Sequence, residues 1–432
     1  MSSIRIGLIG LGTVGTGVAR ILIENAELMR RQTGHTLELR HVVVGDTAKA
    51  RQIELAPGLI RGDIEALIAD TECRIAVLLV GGLEPARSIA LRLLAAGKDL
   101  ITANKALLAE HGTELFEAAR LHGRSIAFEA SVAGGIPIIT NMSQCLSANQ
   151  LSGLSGILNG TTNFILTCMD EKGQDYGVAL KEAQRLGYAE ADPTMDVDGS
   201  DAAQKLAILA HLGFGARAYW KDIPRLGIDC LSPLDIAFAR ELGCRIKLIA
   251  SARLDQGSLA LGVSPALVRL GSPLAEVRQA FNAVALHGDA VGQLFYQGQG
   301  AGEKPTASAV VADIVDTVVG RAQITFNLLQ LWSKNRPAVP LADSSQTKSR
   351  FYIRLTVADN PGVLAVITGI LGAHLISIAS FLQKEPADSP GGPVTLVMMT
   401  HVATQAAANA AIKAIDQLPI TSARSLCLPV MD

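Results

Sequence analysis

The chain has 432 residues, 49 % of them hydrophobic, and a formal charge of −2 from 38 basic and 40 acidic side chains. That length allows two or three domains with a sizeable core, and the even spread of charge excludes the concentrated basic face of a nucleic-acid binder. Apolar runs stop short of a membrane span, and the six scattered cysteines form neither a CxxC pair nor a metal-ligand pattern with histidine.

In chain order, "MSSIRIGLIG" enters a strand pattern at once and leaves no room for a signal peptide, so a cytoplasmic protein with free thiols is expected. Strands are predicted at 4–10, 37–45, 74–82, 99–103 and 125–130, separated by helices at 14–31, 84–96 and 106–122. Strands joined through helices imply right-handed crossovers and a parallel sheet, here an α/β, Rossmann-type doubly wound domain over 1–136. From about Gly134 the chain becomes rich in Gly, Ser and Asn, and 137–303 reads as a second, α+β domain for substrate and dimerisation. The pattern over 304–330 is one long helix with Pro305 in its first turn, suited to packing back onto the first sheet. Residues 333–349, polar and holding two prolines, read as a linker. The remaining 350–432 run strand, helix, strand, strand, helix, strand, a ferredoxin-like βαββαβ order.

"GLGTVG" places Gly10, Gly12 and Gly15 between the first strand and its helix. Glycines there allow a tight turn and close approach of a pyrophosphate to the unpaired N–H groups of the helix start. A bare glycine triplet is weak evidence, but this strand–turn–helix setting points to a dinucleotide. The second strand ends at Gly45-Asp46; Asp46 can accept from a ribose hydroxyl, whereas Lys49 and Arg51 can answer a 2′-phosphate, and both NAD and NADP stay open.

"DLITANKALL" delivers Lys105 beyond a strand's carboxyl end, where open parallel sheets bind ligands. A solvated lysine is the plain alternative, although a cation opposes the positive end of the helix dipole. "EADPTMDVDGSDAAQKLAILA" sets five carboxylates before a helix that turns apolar around Lys205. Asp201 lies four residues earlier, on the same helical face. The bland reading is a capped helix, with Asp198 or Ser200 at its start, and a surface ion pair worth about half a kcal/mol. The functional one is a lysine in a partly desolvated cleft that moves a proton to or from a hydroxyl or carbonyl. A calcium loop fails, because aligning Gly199 with its glycine puts Lys205 where a bidentate glutamate must stand.

The segments "GLGTVG", "TANKALLAEHGTEL", "FEASVAGGIPII", "GILNGTTNFIL", "GYAEADPTMDVDGSDAAQKLAILA" and "GQGAGEKPTASAVVADIVD" resemble homoserine dehydrogenases in order and spacing, over residues 1 to about 330. The tail resembles an ACT domain, with "DNPGVLAVITGIL" at its first strand–helix turn. The resemblance implies interconversion of L-homoserine and L-aspartate 4-semialdehyde with NAD or NADP, in threonine, methionine and isoleucine synthesis. Lys205 falls on the family's catalytic lysine, and Lys105 on the second, which contacts cofactor and substrate. Asp201 and Glu190 fall on residues that hold the substrate, with Tyr188 and Thr161 beside them. Gly10, Leu11, Gly12, Thr13, Val14 and Gly15 form the phosphate turn, and Gly187 and Gly302 fall near the nicotinamide. Glu129, Val132, Gly134 and Ile136 match a sodium-type cation site made of main-chain oxygens and one carboxylate. Asp359, Asn360, Pro361 and Gly362 fall where ACT domains hold a regulatory amino acid, with threonine implied here. Many relatives carry an arginine where this chain has Gly45. A homodimer or homotetramer is expected. An acyl-phosphate dehydrogenase would need a nucleophilic cysteine beside a histidine. A non-catalytic sensor would have no use for two lysines and a Glu/Asp pair.

Overall fold

A computed structural model describes residues 3–384 and 392–431. The first 154 residues build strands β1 (Ser3–Ile9), β2 (Thr36–Val43), β3 (Ile60–Arg61), β4 (Ile75–Leu78), β5 (Asp99–Thr102), β6 (Ile126–Ala127) and the start of β7 (Leu151–Ile157). Among them lie helices α1 (Thr13–Glu24), α2 (Ala26–Thr33), α3 (Glu65–Ala69), α4 (Ala86–Ala95), α5 (Lys105–Leu121) and the single turn α6 (Ile138–Thr140). Next come α7 (Gly160–Lys172), α8 (Tyr176–Arg185), α9 (Thr194–Val197), α10 (Ser200–Phe214) and α11 (Pro233–Glu241). The strands β8 (Cys244–Asp255), β9 (Ser258–Arg269), β10 (Phe281–Gly288) and β11 (Gly292–Gln299) follow, then helices α12 (Glu303–Val318) and α13 (Arg321–Leu329). The tail is β12 (Lys348–Val357), α14 (Val363–Ala373), β13 (Ile378–Lys384), β14 (Val394–Thr400), β15 (Ala403–Thr404), α15 (Gln405–Asp416) and β16 (Thr421–Met431).

Two compact units divide this chain. One comprises Met1–Leu154, Ala203–Ile223 and Phe281–Pro340; the other comprises Ser155–Ala202, Pro224–Ala280 and Leu341–Asp432. The 137–303 stretch, read from sequence as one domain, is thus shared between them, and α10 belongs to both.

The first unit holds a sheet in the order β3-β2-β1-β4-β5-β6, parallel throughout, the doubly wound arrangement expected from the alternating pattern. Helices bury both faces, so Ile6, Leu8, Val77 and Ile101 are apolar without a polar side. Helix α12 returns over 150 residues later to this core, inserting Ala307, Val310, Val311 and Ile314. The single helix expected over 304–330 is broken, because Gly320 takes a left-handed φ of 84° and starts α13 anew. The helix expected over 14–31 likewise breaks at Asn25.

The end of α10 and the segment after α13 close this unit's base. His211 is buried, donating through Nδ1 to Ala216 O (3.1 Å) and accepting at Nε2 from Trp332 N (2.6 Å), with its ring stacked on Trp332. The bond accepted at Nε2 needs the neutral ring, and burial pulls its pKa down from 6.5 to about 4. The sign follows: stability from this site is full above pH 6.5 and is lost as pH falls through about 4, a contribution of about 3 kcal/mol. His211→Gln should therefore flatten the loss of unfolding free energy between those pH values; denaturant titrations across that window check it, and parallel curves would deny it.

The expected linker over 333–349 follows a fixed path. Arg217 donates to the carbonyls of Ser333 and Arg336, Val339 N to Gly215 O, and Ala342 N to Leu259 O.

The second unit holds a sheet in the order β8-β9-β16-β12-β14-β13. Its last four strands, with α14 and α15, form an antiparallel βαββαβ module. The core of the module is Phe351, Ile353, Leu355, Ile367, Leu371, Met398 and Ile415. Helix α11 is tied to that module through Asp235, wholly buried at the helix start. Its Oδ2 accepts from Ser232 N (2.9 Å) and Oγ (2.7 Å), and its Oδ1 from Tyr352 Oη (3.0 Å) and Arg354 Nε (2.6 Å).

Candidate functional site

At the carboxyl edge of the parallel sheet, the Gly10–Gly15 turn joins β1 to α1. Gly10 has φ +96°, and a Cβ there would lie 2.7 Å from Leu79 O; a Cβ on Gly15 would meet Gly10 O at 2.1 Å. Around Gly12 there is open space. Thr16 N closes the first intrahelical bond to Gly12 O, so the amides of Thr13, Val14 and Gly15 precede the helical ladder and face a ligand with partial positive charge. These residues fit a dinucleotide pyrophosphate.

Beside them, the end of β5 is fixed to the end of β4. Thr102 Oγ1 donates to Leu78 O (3.0 Å), and Asn104 Nδ2 to Val80 O (2.9 Å) and Gly82 O (2.7 Å), while Asn104 Oδ1 caps α5 at Leu107 N (3.0 Å). Half-buried Lys105 is the first residue of that helix, set at the same edge of the sheet. After β2, Asp46 Oδ1 accepts from Ala48 N (2.9 Å) and Lys49 N (3.2 Å), and Arg51 donates to the carbonyls of Asp46 and Lys49. This loop thus engages part of its own charge and leaves the choice of ribose open. Gly302, at φ +120°, precedes α12 in the same unit.

Glu129, expected at the cation site, is held in place by several hydrogen bonds. Its carboxylate accepts from Ile139 N (2.9 Å), Thr140 N (2.8 Å) and Thr140 Oγ1 (2.5 Å), so it caps α6. Burial nonetheless raises its pKa, and burial together with the nearby Glu129 charge raises that of Asp313 well above the usual carboxylate range, against the opposing effect of the hydrogen bond it accepts from Glu129 N (2.8 Å). Val132, Gly134 and Ile136 lie on a turn where Ala133 (φ 56°) and Gly134 (φ 48°) are left-handed, and Ile136 O accepts from Ile138 N (2.7 Å).

In the second unit, "NGTTN" opens α7 with polar side chains that are buried yet satisfied. Asn159 Oδ1 caps the helix at Thr162 N (2.8 Å), and its Nδ2 donates to Asp196 Oδ1 (2.7 Å) and Asp201 Oδ2 (2.9 Å). Thr161 Oγ1 donates to Tyr188 O (2.6 Å), and Asn163 bridges Lys247 Nζ to the Val277 and Gln279 carbonyls. Lys247 is buried, and desolvation pushes its pKa down to about 7. Tyr188, half exposed, packs its ring 4.8 Å from Phe164. Gly187 turns the chain at φ +77° ahead of exposed Glu190.

Helix α10 begins where Asp198 accepts from Ser200 N (2.8 Å) and Oγ (2.9 Å). Asp201 is 6 % exposed, and Lys205 is half-buried between Gln204 and Leu206, both buried. The two sit one turn apart on one helix, which makes a bare surface pair the poorer description. Sequence reading passed over Asn159 and Asp196; the available signal was an asparagine at a helix start, read only as part of a motif. In the tail, Asp359, Asn360, Pro361 and Gly362 are exposed on the β12–α14 turn, with Gly362 at φ +91°.

Burial pushes the Cys73 and Cys427 thiols up to about 12 and Cys230 to about 11. None of these three suits a nucleophile. Among the described residues no group of three or more His, Cys, Asp or Glu could hold a metal ion, and no helix is long and apolar enough to cross a membrane.

Comparison with known proteins matches residues 137–315 to the homoserine dehydrogenase family and residues 10–129 to the homoserine dehydrogenase NAD-binding domain. The chain is 41 % identical to a homoserine dehydrogenase of Synechocystis over 431 residues, covering 96 % of each protein. It is 41 % identical to the crystal structure of a homoserine dehydrogenase from Thiobacillus denitrificans, with a TM-score of 0.91 over 100 % of this chain and 99 % of that one. A hyperthermophilic archaeal homoserine dehydrogenase mutant in complex with NADPH is 27 % identical, with a TM-score of 0.62 over 74 % of this chain and 98 % of that one.

Proposed function

The chain belongs to the homoserine dehydrogenase family, and from that premise we propose that it interconverts L-homoserine and L-aspartate 4-semialdehyde with NAD or NADP, in the supply of threonine, methionine and isoleucine. The observation that carries this reading is α10, with buried Asp201 and half-buried Lys205 one turn apart. The match to an NAD-binding domain supports a nicotinamide cofactor.

In the oxidising direction, Asp201 and Glu190 hold the substrate ammonium, with Tyr188 and Thr161 shaping the same site. Lys205 takes the hydroxyl proton as the C4 carbonyl forms. A bound nicotinamide would supply the acceptor for the hydride leaving C4, so that atoms and charge balance. Lys105 orients cofactor and substrate from the sheet's edge, and the Gly10–Gly15 turn holds the pyrophosphate, with Gly187 and Gly302 giving main-chain contacts. Positioning and a proton path are what this chemistry asks of the protein.

Asp201→Asn keeps the shape and removes the charge. Its homoserine KM should rise at least ~10-fold, with slower turnover. Initial-rate kinetics against homoserine and against 4-hydroxybutyrate, which lacks the ammonium, check this. Asp201→Asn should narrow the parent's preference for homoserine, and a preserved preference with unchanged KM would deny the clamp.

The βαββαβ module is read as an ACT-type regulatory domain, with threonine held at the turn carrying Asp359, Asn360 and Gly362. Support comes from the module's strand order and that exposed turn. Threonine should inhibit turnover or raise the melting temperature; the absence of both responses would remove the regulatory reading. A sodium ion on the main-chain oxygens of Glu129, Val132, Gly134 and Ile136, and a homodimer or homotetramer, complete the proposal.

A further inference from the structure

We infer that Asn159 is a positioning residue for the substrate clamp, an assignment that rests on the proposed role of Asp201. Its side chain is 4 % exposed, and all four of its hydrogen-bonding positions are engaged. Oδ1 accepts from Thr162 N (2.8 Å) and Thr162 Oγ1 (3.0 Å), while Nδ2 donates to Asp196 Oδ1 (2.7 Å) and Asp201 Oδ2 (2.9 Å). The amide cannot be flipped, since its oxygen would then face two carboxylates and its nitrogen a backbone N–H.

One rigid group therefore performs two tasks. It caps α7, and it draws two carboxylates from different elements, Asp196 of α9 and Asp201 of α10, onto a single nitrogen. Like charges that close repel unless a donor lies between them or a cation joins them. The neutral amide supplies the donor without adding a charge of its own to the pair. A cationic residue in its place would neutralise the pocket, and an apolar one would release Asp201 to other rotamers. The charged groups around this amide are Asp196 and Asp201 themselves, Asp198 at the α10 start, and Lys205 one turn along that helix.

Asn159→Asp separates the two tasks. Aspartate caps helices as well as asparagine does, but it has no N–H to offer and adds a third carboxylate. Asn159→Ser, with a shorter capping hydroxyl, is the second variant in case the first does not fold. The expected result for both is a homoserine KM raised at least ~10-fold with dinucleotide affinity unchanged. For Asn159→Asp the acid limb of kcat/KM against pH also moves to higher pH. Unchanged KM together with an unmoved acid limb overturns the assignment, as does a loss of folded protein whose remaining fraction keeps the parent's KM and pH profile.

The parent's turnover of homoserine, measured first, tests the substrate reading separately. If it is absent, thermal melts still decide the positioning role without substrate. The gap between parent and Asn159→Asp should widen as pH rises and the crowded carboxylates ionise, and close in acid. A gap independent of pH overturns the assignment.

Discussion

Lys205→Met is expected to lower kcat at least ~100-fold while dinucleotide affinity holds. Methionine has a similar reach and suits the neighbouring apolar surface, where Leu206, Ile208 and Leu209 are fully buried. The fold and the glycine turn should therefore survive, and only proton transfer at the substrate oxygen should be lost. Lys205→Arg sharpens the test, because a guanidinium keeps its charge but does not release its proton. Turnover as poor as in Lys205→Met assigns Lys205 to proton transfer; recovery in Lys205→Arg would reduce it to a fixed positive charge. Steady-state kinetics with a fluorescence titration of the cofactor supply both numbers, and near-normal turnover in Lys205→Met would refute the role.

Asp235→Ala should destabilise the protein by ~3–5 kcal/mol. Removing this carboxylate deprives the Arg354 guanidinium, whose side chain is only 15 % exposed, of its salt bridge, and takes from buried Tyr352 the acceptor of its hydroxyl. It also removes the side-chain half of the capping box at the start of α11, leaving Ser232 N without its acceptor. Burial and the Asp235 charge hold the Tyr352 phenol protonated, so it stays a donor in need of a partner. The penalty comes mainly from the partner left behind, so Asp235→Leu combined with Arg354→Met should recover part of it. Denaturant unfolding of the single and double variants measures this; an Asp235→Ala protein as stable as the parent would contradict it.

Much of this architecture was legible because its signals are local. The apolar run of β1, the glycine turn and the amphipathic α1 lie within about twenty residues, and repeated strand–helix units imply a parallel sheet without any long-range knowledge. The Asp201–Lys205 pair needed only helical spacing. Misreadings arose where tertiary contacts decide. The pattern over 304–330 was read as one helix, although the left-handed φ of Gly320 divides α12 from α13. The two-residue β3 is too short for any alternation to show; pairing with Val42 and Val43 of β2 defines it. Nothing in the segment around Glu129 reveals that α6 engages both of its oxygens. Asn159 was hidden for the same reason, since Asp196 and Asp201 lie on elements far along the chain. Asp235 lies more than a hundred residues before Tyr352 and Arg354, and only the folded unit joins them.

The most direct measurement of the central claim is the initial rate of nicotinamide reduction by the purified parent protein, with L-homoserine present or absent and with NAD and NADP tried separately. The account predicts reduction that depends on homoserine with at least one cofactor and that nearly vanishes in Lys205→Met. Reduction with neither cofactor, or a rate indifferent to homoserine, would contradict it.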